Sequence, residues 1–134
     1  MSFGRSTSTN IMRNIEHANT TMRQKAQNTT ARYTNATTAL NTTQWFLITT
    51  VYNSATSRTI YINGTGEATN TTNVAYSSNA NNRLNIGRFA DSTPTNYFNG
   101  CVDDVRFYST ALTAGQIYNL YAKPASLSTS ATTS

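Results

Sequence analysis

Two apolar segments followed by a turn pair constrain this chain more than any other feature. Residues 44–52 (QWFLITTVY) are apolar at both alternating positions, which is typical of a strand covered on both faces. Residues 58–63 (RTIYIN) follow a short polar loop and end at Asn63-Gly64, a pair that favours the positive φ angles of a tight hairpin turn. We therefore predict a central strand at 44–52, with Trp45 in the core, paired to a strand at 58–63.

The composition points to the same class of fold. Thr (26) and Asn (17) together make up about a third of the 134 residues. Thr suits the solvated face of a strand and Asn suits turns, whereas strong helix formers are scarce. A chain of this length encloses a core most simply as one domain of two packed sheets.

The second half of the chain continues the strand pattern. Residues 83–89 alternate, with Leu84 and Ile86 predicted to point inward, and residues 98–108 read as a further strand whose Val105 joins Trp45 in one interior. Between the hairpin and these strands, residues 65–82 form a long polar stretch with one candidate strand at 73–76.

A short helix is predicted near the C-terminal end. Thr113 and Gln116 have the spacing of a capping box, so the helix should cover residues 114–121 and bury Ile117 and Leu120. Pro124 ends it.

Residues 11–40 leave two interpretations open. Five apolar residues recur at helical spacing and favour an amphipathic helix: Ile11, Ile15, Ala18, Met22 and Ala26. The same region also divides into short strands at 11–13, 22–27 and 31–36, separated by Asn/Thr turns. The Thr-rich surroundings disfavour the helix, and we favour the strands.

The order of these pieces resembles the C-terminal half of laminin G-like modules. The motifs are a Trp strand, Tyr-Ile-Asn-Gly, Leu-Asn-Ile-Gly-Arg, Phe-Asn-Gly-Cys-Val-Asp-Asp-Val-Arg-Phe-Tyr, Ala-Leu-Thr and Ile-Tyr-Asn-Leu-Tyr, within residues 41–122. The resemblance implies an all-β, antiparallel, two-sheet concanavalin A-like jelly roll with one short C-terminal helix. Modules of this family often bind glycans or proteins, and occur in adhesins and virion surface proteins. The expected organisation is a flexible arm at 1–10, the jelly roll at 11–122 and a low-complexity tail at 123–134.

The chain is shorter than the modules it resembles, so we expect the first strands to be shortened and one sheet margin to be incomplete. Exposed strand edges are hazards that proteins cover. We therefore expect a homo-oligomer or a larger assembly, with another polypeptide closing this margin.

Candidate catalytic and metal-binding residues are few. Asp103 and Asp104 are adjacent on a predicted strand and would point to opposite faces, which disfavours a glycosidase pair. In the resembled family such a pair supports loops or joins an ion pair. Asp91, Asp103 and Asp104 are weak candidates for Ca²⁺ ligands. His17 is expected on the surface, and Cys101 in the core. We expect no catalytic residue and no cofactor.

The charge distribution narrows the range of partners. The formal net charge is +5, but the ten basic residues are scattered, so no dense phosphate-binding stripe forms and we expect no nucleic-acid partner. One cysteine allows no internal disulfide. No apolar run is long enough to span a membrane, and no signal sequence is recognisable, so we expect cytoplasmic synthesis.

Ligand or partner residues are expected on the loops at 65–82 and 91–97. The candidates are Tyr76, Tyr97, Asn96 and Arg88, because tyrosine with Asn and Arg stacks on sugars or on proteins. The expected function is that of a non-enzymatic phage or virus surface protein, such as a capsid decoration or fibre subunit. The alternative is a carbohydrate-binding adhesion module.

Overall fold

The computed structural model describes residues 2–4, 12–28, 30–41, 43–74, 83–88 and 97–123. These residues form eight strands and one helix. The elements are β1 (Ser2–Gly4), β2 (Met12–Ala18), β3 (Thr21–Asn28), β4 (Thr30–Asn35), β5 (Ile48–Ser54), β6 (Ser57–Ile62), β7 (Thr65–Asn70), β8 (Arg83–Asn85) and α1 (Ala114–Ala122).

The strands build two antiparallel sheets of unequal width. The larger sheet has the order β4-β3-β2-β1-β8, and the smaller has the order β5-β6-β7. All strand pairs are antiparallel. The predicted all-β sandwich with one C-terminal helix is confirmed.

The sheets pack where β3 and β4 lie against β6 and β7. Ile60 and Ile62 of β6 are 0% and 3% exposed, and they contact Met22 and Ala36 from the other sheet. Burying each large apolar side chain stabilises the fold by about 1.5–3 kcal/mol. The apolar core therefore lies toward the β4/β7 side of the sandwich.

Side-chain hydrogen bonds close that same side. Asn70 Nδ2 donates to the carbonyl oxygen of Tyr33 at 2.7 Å, joining β7 to β4. Glu67 of β7 accepts the backbone N–H groups of Thr37 and Thr38 at 2.6 and 3.0 Å, and both hydroxyl groups also donate to it. The loop after β4 is thus fastened to β7.

The described part of this region, residues 12–28 and 30–40, follows the strand interpretation. β2, β3 and β4 form a meander, and alternate residues of β3 (Met22, Gln24 and Ala26) are buried. The helical spacing of the apolar residues was misleading, because Ile15 and Met22 both contact the core from adjacent strands. Three residues of the predicted arm, Ser2–Gly4, form a strand paired with β2 and β8.

The predicted hairpin is present, but its first strand was placed wrongly. β5 pairs with β6 as predicted, and Asn63 and Gly64, in the next turn between β6 and β7, adopt φ angles of 49° and 80°. However, β5 begins at Ile48 and is an edge strand, and Trp45 before it is 68% exposed. β6 is the central strand of the smaller sheet. The two-sided apolar pattern of 44–52 arises because this segment lines an open groove.

Two further predictions in the polar region need correction. The third strand of the smaller sheet is β7 at Thr65–Asn70, within the stretch that sequence patterns assigned to loop. Of the candidate strand at 73–76, residues 75 and 76 lie outside the described residues, and residues 73 and 74 form no strand. Val74 is buried, and its N–H donates to the carbonyl oxygen of Ala55 at 2.9 Å. Sequence patterns missed β7 because its Thr and Gly residues give little apolar–polar alternation.

The segment at 98–108 also differs from the prediction. It pairs with no strand among the described residues, and every residue from 97 to 111 is exposed. Val105 is 36% exposed and Cys101 is exposed as well, so neither lies in a core shared with Trp45. Asp104 has a left-handed φ of 50°, which interrupts the extended conformation.

The helix is confirmed almost residue for residue. Thr113 caps α1, its hydroxyl accepting the N–H of Gln116, while the Gln116 side chain accepts the N–H of Thr113 at 2.8 Å. Ile117 is fully buried, and Leu120 is half-buried. The helix packs beside β7.

Gly64 positions this helix. A Cβ at Gly64 would lie 3.1 Å from the Cα of Tyr118 and 3.2 Å from the Cβ of Tyr121, and its φ is 80°. Gly64→Ala should therefore destabilise the protein by about 1–3 kcal/mol, through left-handed strain and displacement of α1, measured by chemical denaturation.

Two controls separate these causes. Gly87 has a φ of 78° with nothing within 4 Å, so Gly87→Ala tests the strain alone, and Gly115→Ala in α1 meets neither problem. Equal losses for Gly64→Ala and Gly87→Ala would contradict a packing role for Gly64.

Glu67 should make stability depend on pH. Burial alone would raise its pKa, but the hydrogen bonds from Thr38 and Thr37 outweigh burial and hold the pKa below the ordinary value of 4.5. Since the folded-state pKa is lowered, its stabilisation is complete above 4.5 and is lost as pH falls through the lower folded value. Glu67→Gln should cost about 1–3 kcal/mol at pH 7 and flatten the stability profile below pH 4.5.

Glu16→Gln is the matched control, because Glu16 forms a partly exposed ion pair with Arg23 at 2.6 Å. Such pairs contribute about 0–1 kcal/mol. If Glu67→Gln lowers the free energy of unfolding no more than Glu16→Gln does, the hydrogen bonds from Thr37 and Thr38 to Glu67 do not have this stabilising role.

Candidate functional site

One side of the sandwich is open because the sheets differ in width. β5, the last strand of the smaller sheet, lies opposite β2 and β3: the Tyr52 hydroxyl donates to the carbonyl oxygen of Lys25 at 3.1 Å, and the Arg13 guanidinium lies 5.0 Å from the Tyr52 ring centre. The larger sheet continues past this point through β1 and β8. In the described part of the chain, no strand of the smaller sheet opposes these two.

The exposure of Leu84 follows from this difference in width between the two sheets. In the strand register Leu84 pairs with Phe3, Phe3 with Arg13, and Arg13 with Ala26. Directly paired residues share a face, so Leu84 and Ala26 lie on the same face of the sheet. Ala26 is 1% exposed and Leu84 is 49% exposed. The prediction that Leu84 is buried was wrong, because none of the described strands covers its face at this position. Ile86, also predicted to point inward, is 47% exposed.

The space beside β5 is a groove of about 1560 Å³, which we call the open groove. Its walls are residues of β2, residues 44–52, residues 86–88 and the segment 97–112. Several large apolar side chains in these walls are exposed, including Trp45, Tyr97, Phe98, Val102, Val105, Phe107 and Tyr108. Soluble proteins rarely leave so many apolar side chains together in water, and such surfaces mark binding sites.

The interior next to the open groove is polar, and its hydrogen-bonding groups are incompletely paired within the described residues. Gln24 is fully buried, and its Nε2 makes a long 3.4 Å hydrogen bond to the carbonyl oxygen of Val51. Its Oε1 finds no hydrogen-bond partner within the described residues. An unsatisfied buried amide oxygen weakens packing, so the β5 side is held less firmly than the β4/β7 side.

The carboxylates lining the groove are mostly engaged. Glu16 is bound to Arg23 at 2.6 Å, and both oxygens of Asp104 accept from Arg106 at 2.7 Å. The Asp104 pair raises the pKa of Arg106 above its ordinary value. Asp103 lies beside Asp104 and accepts its N–H at 2.7 Å. Asp104 therefore joins an ion pair with Arg106.

The structure places only some of the predicted site residues. Tyr97 is 71% exposed and lines the open groove together with Arg88, whose Nε donates to Asn85 Oδ1 at 2.8 Å. Tyr76, Asn96 and Asp91 lie outside the described residues. His17 is exposed as predicted and also lines the groove.

A metal site is not assembled from the described residues. Within those ranges no three His, Cys, Asp or Glu side chains come together in a way that could hold an ion. The Ca²⁺ candidates Asp103 and Asp104 remain predictions.

Sequence patterns missed the exposed aromatic side chain in the groove wall formed by residues 44–52. Trp45 was assigned to the core, yet it lies at the groove, with Tyr121 of α1 in a smaller adjoining pocket of about 270 Å³. One sequence signal could have shown that Trp45 lies outside the paired strand. The segment begins with the polar residue Gln44, and Trp45 precedes the first paired residue, Ile48.

The fold and motifs agree with a known family. A laminin G-type family model described as the concanavalin A-like lectin/glucanases superfamily matches residues 2–118. The chain belongs to this superfamily. The match begins at residue 2, so the predicted extent, residues 41–122, was wrong: the N-terminal strands belong to the family match as well.

A solved structure shares this concanavalin A-like fold. It is an S-layer domain-containing protein from Clostridium thermocellum, 22% identical over 90% of this chain, with a TM-score of 0.50. The chain spans 61% of that structure's length. No curated protein matches the sequence. Among the described helical residues, none forms a segment long and apolar enough to cross a membrane.

Proposed function

We propose that this protein is a non-enzymatic structural subunit of a surface assembly, most concretely of a phage or virus particle, and that it joins its neighbours through the open side of the sandwich. The observation that carries the proposal is the mismatch between a five-stranded and a three-stranded sheet. Within the described residues, no strand pairs with the outer edge of β5, which borders an apolar groove. Stable monomers protect such edges with charge or proline, and β5 (ITTVYNS) has neither.

The engaged carboxylates support a non-catalytic role. A glycoside hydrolase needs two carboxyl groups across the sugar, one of them free to donate a proton. In the groove, Glu16 and Asp104 are each held by an arginine, and the remaining carboxylate, Asp103, is adjacent to Asp104. The geometry favours recognition over hydrolysis.

In this proposal the protein is synthesised in a cytoplasm and then acts at a surface. The similar S-layer domain-containing protein favours a place in an ordered layer outside a cell or particle. A Thr- and Asn-rich composition with a single cysteine suits a virion surface subunit that is assembled without disulfides.

The assembly role predicts an oligomer in solution. Light scattering on the full chain at micromolar concentration should give a mass above 14.7 kDa. Thr50→Lys should shift the population to monomer, because a charge on an open strand edge opposes pairing. Thr71→Lys adds the same charge beyond β7, on the closed side, and should leave the oligomer unchanged.

A clean monomer of the unaltered chain at these concentrations would refute the assembly role. Removal of residues 125–134 should also abolish assembly if the tail is a contact, whereas unchanged assembly would refute that contact. Removing residues 1–10 takes away β1, so circular dichroism must accompany that variant.

A carbohydrate-binding adhesion module is the second candidate. Trp45 and Tyr97, 68% and 71% exposed, line the same groove as Arg88, and aromatic rings beside an arginine suit a sugar.

This alternative predicts binding on a glycan array. Trp45→Ala and Tyr97→Ala should each lower the array signal about tenfold or more, since stacking contributes roughly 1–3 kcal/mol per ring. Tyr118→Ala is the control, because Tyr118 is 56% exposed on α1 and is not part of the groove. Equal signals for all three variants would rule the groove out as a sugar site.

A further inference from the structure

The small pocket of about 270 Å³ beside α1 combines aromatic walls with negative charge. Two of its walls are aromatic side chains, Trp45, which is 68% exposed, and Tyr121, which is 46% exposed. Apolar side chains, including Leu120, and the two carboxylates of Asp103 and Asp104 also line it. Among the described residues, no basic side chain lines this pocket. These walls suit a ligand that is both apolar and positively charged.

One turn positions both aromatic walls. The N–H of Leu47 donates to Asn63 Oδ1 at 2.9 Å, and its carbonyl oxygen accepts the N–H of Asn63 at 2.9 Å, which holds the segment that carries Trp45. The next residue of the turn, Gly64, packs against α1, since a Cβ there would lie 3.2 Å from the Cβ of Tyr121. Both walls are therefore fixed against the same turn, and a preformed site loses little entropy when a ligand binds.

The local charge favours a cation. The chain has a formal net charge of +5 and five acidic residues, yet two of these five, Asp103 and Asp104, line this pocket. Arg106 pairs with Asp104, so two carboxylates stand against one guanidinium and one negative charge remains. The face of an aromatic ring attracts a cation through its quadrupole, and the indole ring of Trp is the most effective. The rings and the carboxylates thus attract the same kind of ligand.

The hydrogen bonds of the carboxylates decide which cation fits best. Both oxygens of Asp104 accept from Arg106 at 2.7 Å, and Asp103 Oδ1 accepts the N–H of Asp104 at 2.7 Å. A primary ammonium group brings three N–H donors, which need acceptors once they leave water. A quaternary ammonium group has no N–H donor, and its methyl groups pack against apolar walls. Carboxylates that are already used as acceptors still attract it through their charge.

We propose that the pocket between Trp45 and Tyr121 binds a quaternary ammonium group. Pockets for drug-sized ligands have volumes of about 300–1,000 Å³. The volume of about 270 Å³ therefore suits a compact trimethylammonium head group. Such a group occurs on free choline-type compounds and on choline lipids, and the same contacts recognise both. This inference is independent of the proposed assembly role.

Fluorescence tests the site directly, because Trp45 is the one tryptophan of the chain. Titration of the full chain with tetramethylammonium chloride, at an ionic strength kept constant with sodium chloride, should give a saturable change in Trp45 emission. Methylammonium should need at least about fivefold higher concentration for half-saturation, because its N–H groups lose their water. The neutral analogue tert-butanol should not saturate. Half-saturation by either compound at the concentration of tetramethylammonium would overturn the proposal.

Two substitutions in the pocket provide a second measurement. Tyr121→Leu removes an aromatic wall, and Asp103→Asn removes a charge while keeping an oxygen that can accept the N–H of residue 104. Both side chains are exposed, so the variants should fold, as circular dichroism would check. Each should raise the half-saturation concentration about threefold or more.

The matched controls lie outside the pocket. Tyr118→Leu changes an exposed tyrosine of the same helix, and Glu16→Gln makes the same charge change as Asp103→Asn; neither residue lines the pocket. Both controls should leave the titration unchanged. Equal shifts in the pocket variants and the controls would contradict binding at this site.

A last comparison distinguishes the two sources of the head group. Saturation by choline without co-sedimentation on phosphatidylcholine vesicles would assign the site to a soluble compound. Co-sedimentation that tetramethylammonium competes away, and that Asp103→Asn weakens, would assign it to a lipid surface. A folded chain that shows no saturable response to tetramethylammonium or choline and does not sediment with the vesicles would overturn the proposal, and would leave the assembly role unaffected.

Discussion

A β sandwich is stable where two sheets cover each other, and in this protein the cover is unequal. Within the described residues, five strands on one side meet three on the other, so apolar side chains are buried over β3, β4, β6 and β7 and remain exposed beyond β5. Ala26 and Leu84 share a face of the same sheet, yet one is buried and the other half exposed. The position of the core, the open groove and the free edge of β5 all follow from this difference in width.

Polar groups compensate where the apolar core is thin. Arg58 is 1% exposed, and its guanidinium donates to the carbonyl oxygens of Ala55 and Thr72 and to Asn70 Oδ1. These bonds hold the β5–β6 turn against the chain that follows β7. Together with the hydrogen bonds of Thr37 and Thr38 to Glu67, they stabilise one side of the sandwich. On the other side, the buried Oε1 of Gln24 has no hydrogen-bond partner among the described residues. Assembly through the weaker side would disturb the least structure.

The concanavalin A-like scaffold hosts many functions, so the fold by itself assigns none. Within the described residues, this chain combines an edge strand without charged side chains, β5, with an apolar groove beside it. Of the three acids among the described residues of the groove, Glu16 and Asp104 are bound to arginines, and Asp103 accepts the N–H of Asp104. A lectin could use Trp45 and Tyr97, and a subunit of a shell could use the whole groove.

Local sequence determined much of this structure. The capping box of α1, the Asn63-Gly64 turn and the strand β6 were predictable because each depends on neighbouring residues. The family was recognisable from the order of motifs. β7 was missed because Thr and Gly side chains give little alternation, and pairing with β6 decides its conformation.

Only the tertiary structure decided which apolar residues are covered. Trp45, Val105 and Leu84 have the pattern of core residues, but burial depends on whether an opposing strand exists at that position. That depends on the number of strands in the other sheet, which no local pattern encodes. The apolar–polar alternation of a strand indicates which side chains face inward. The tertiary structure determines whether another element covers them.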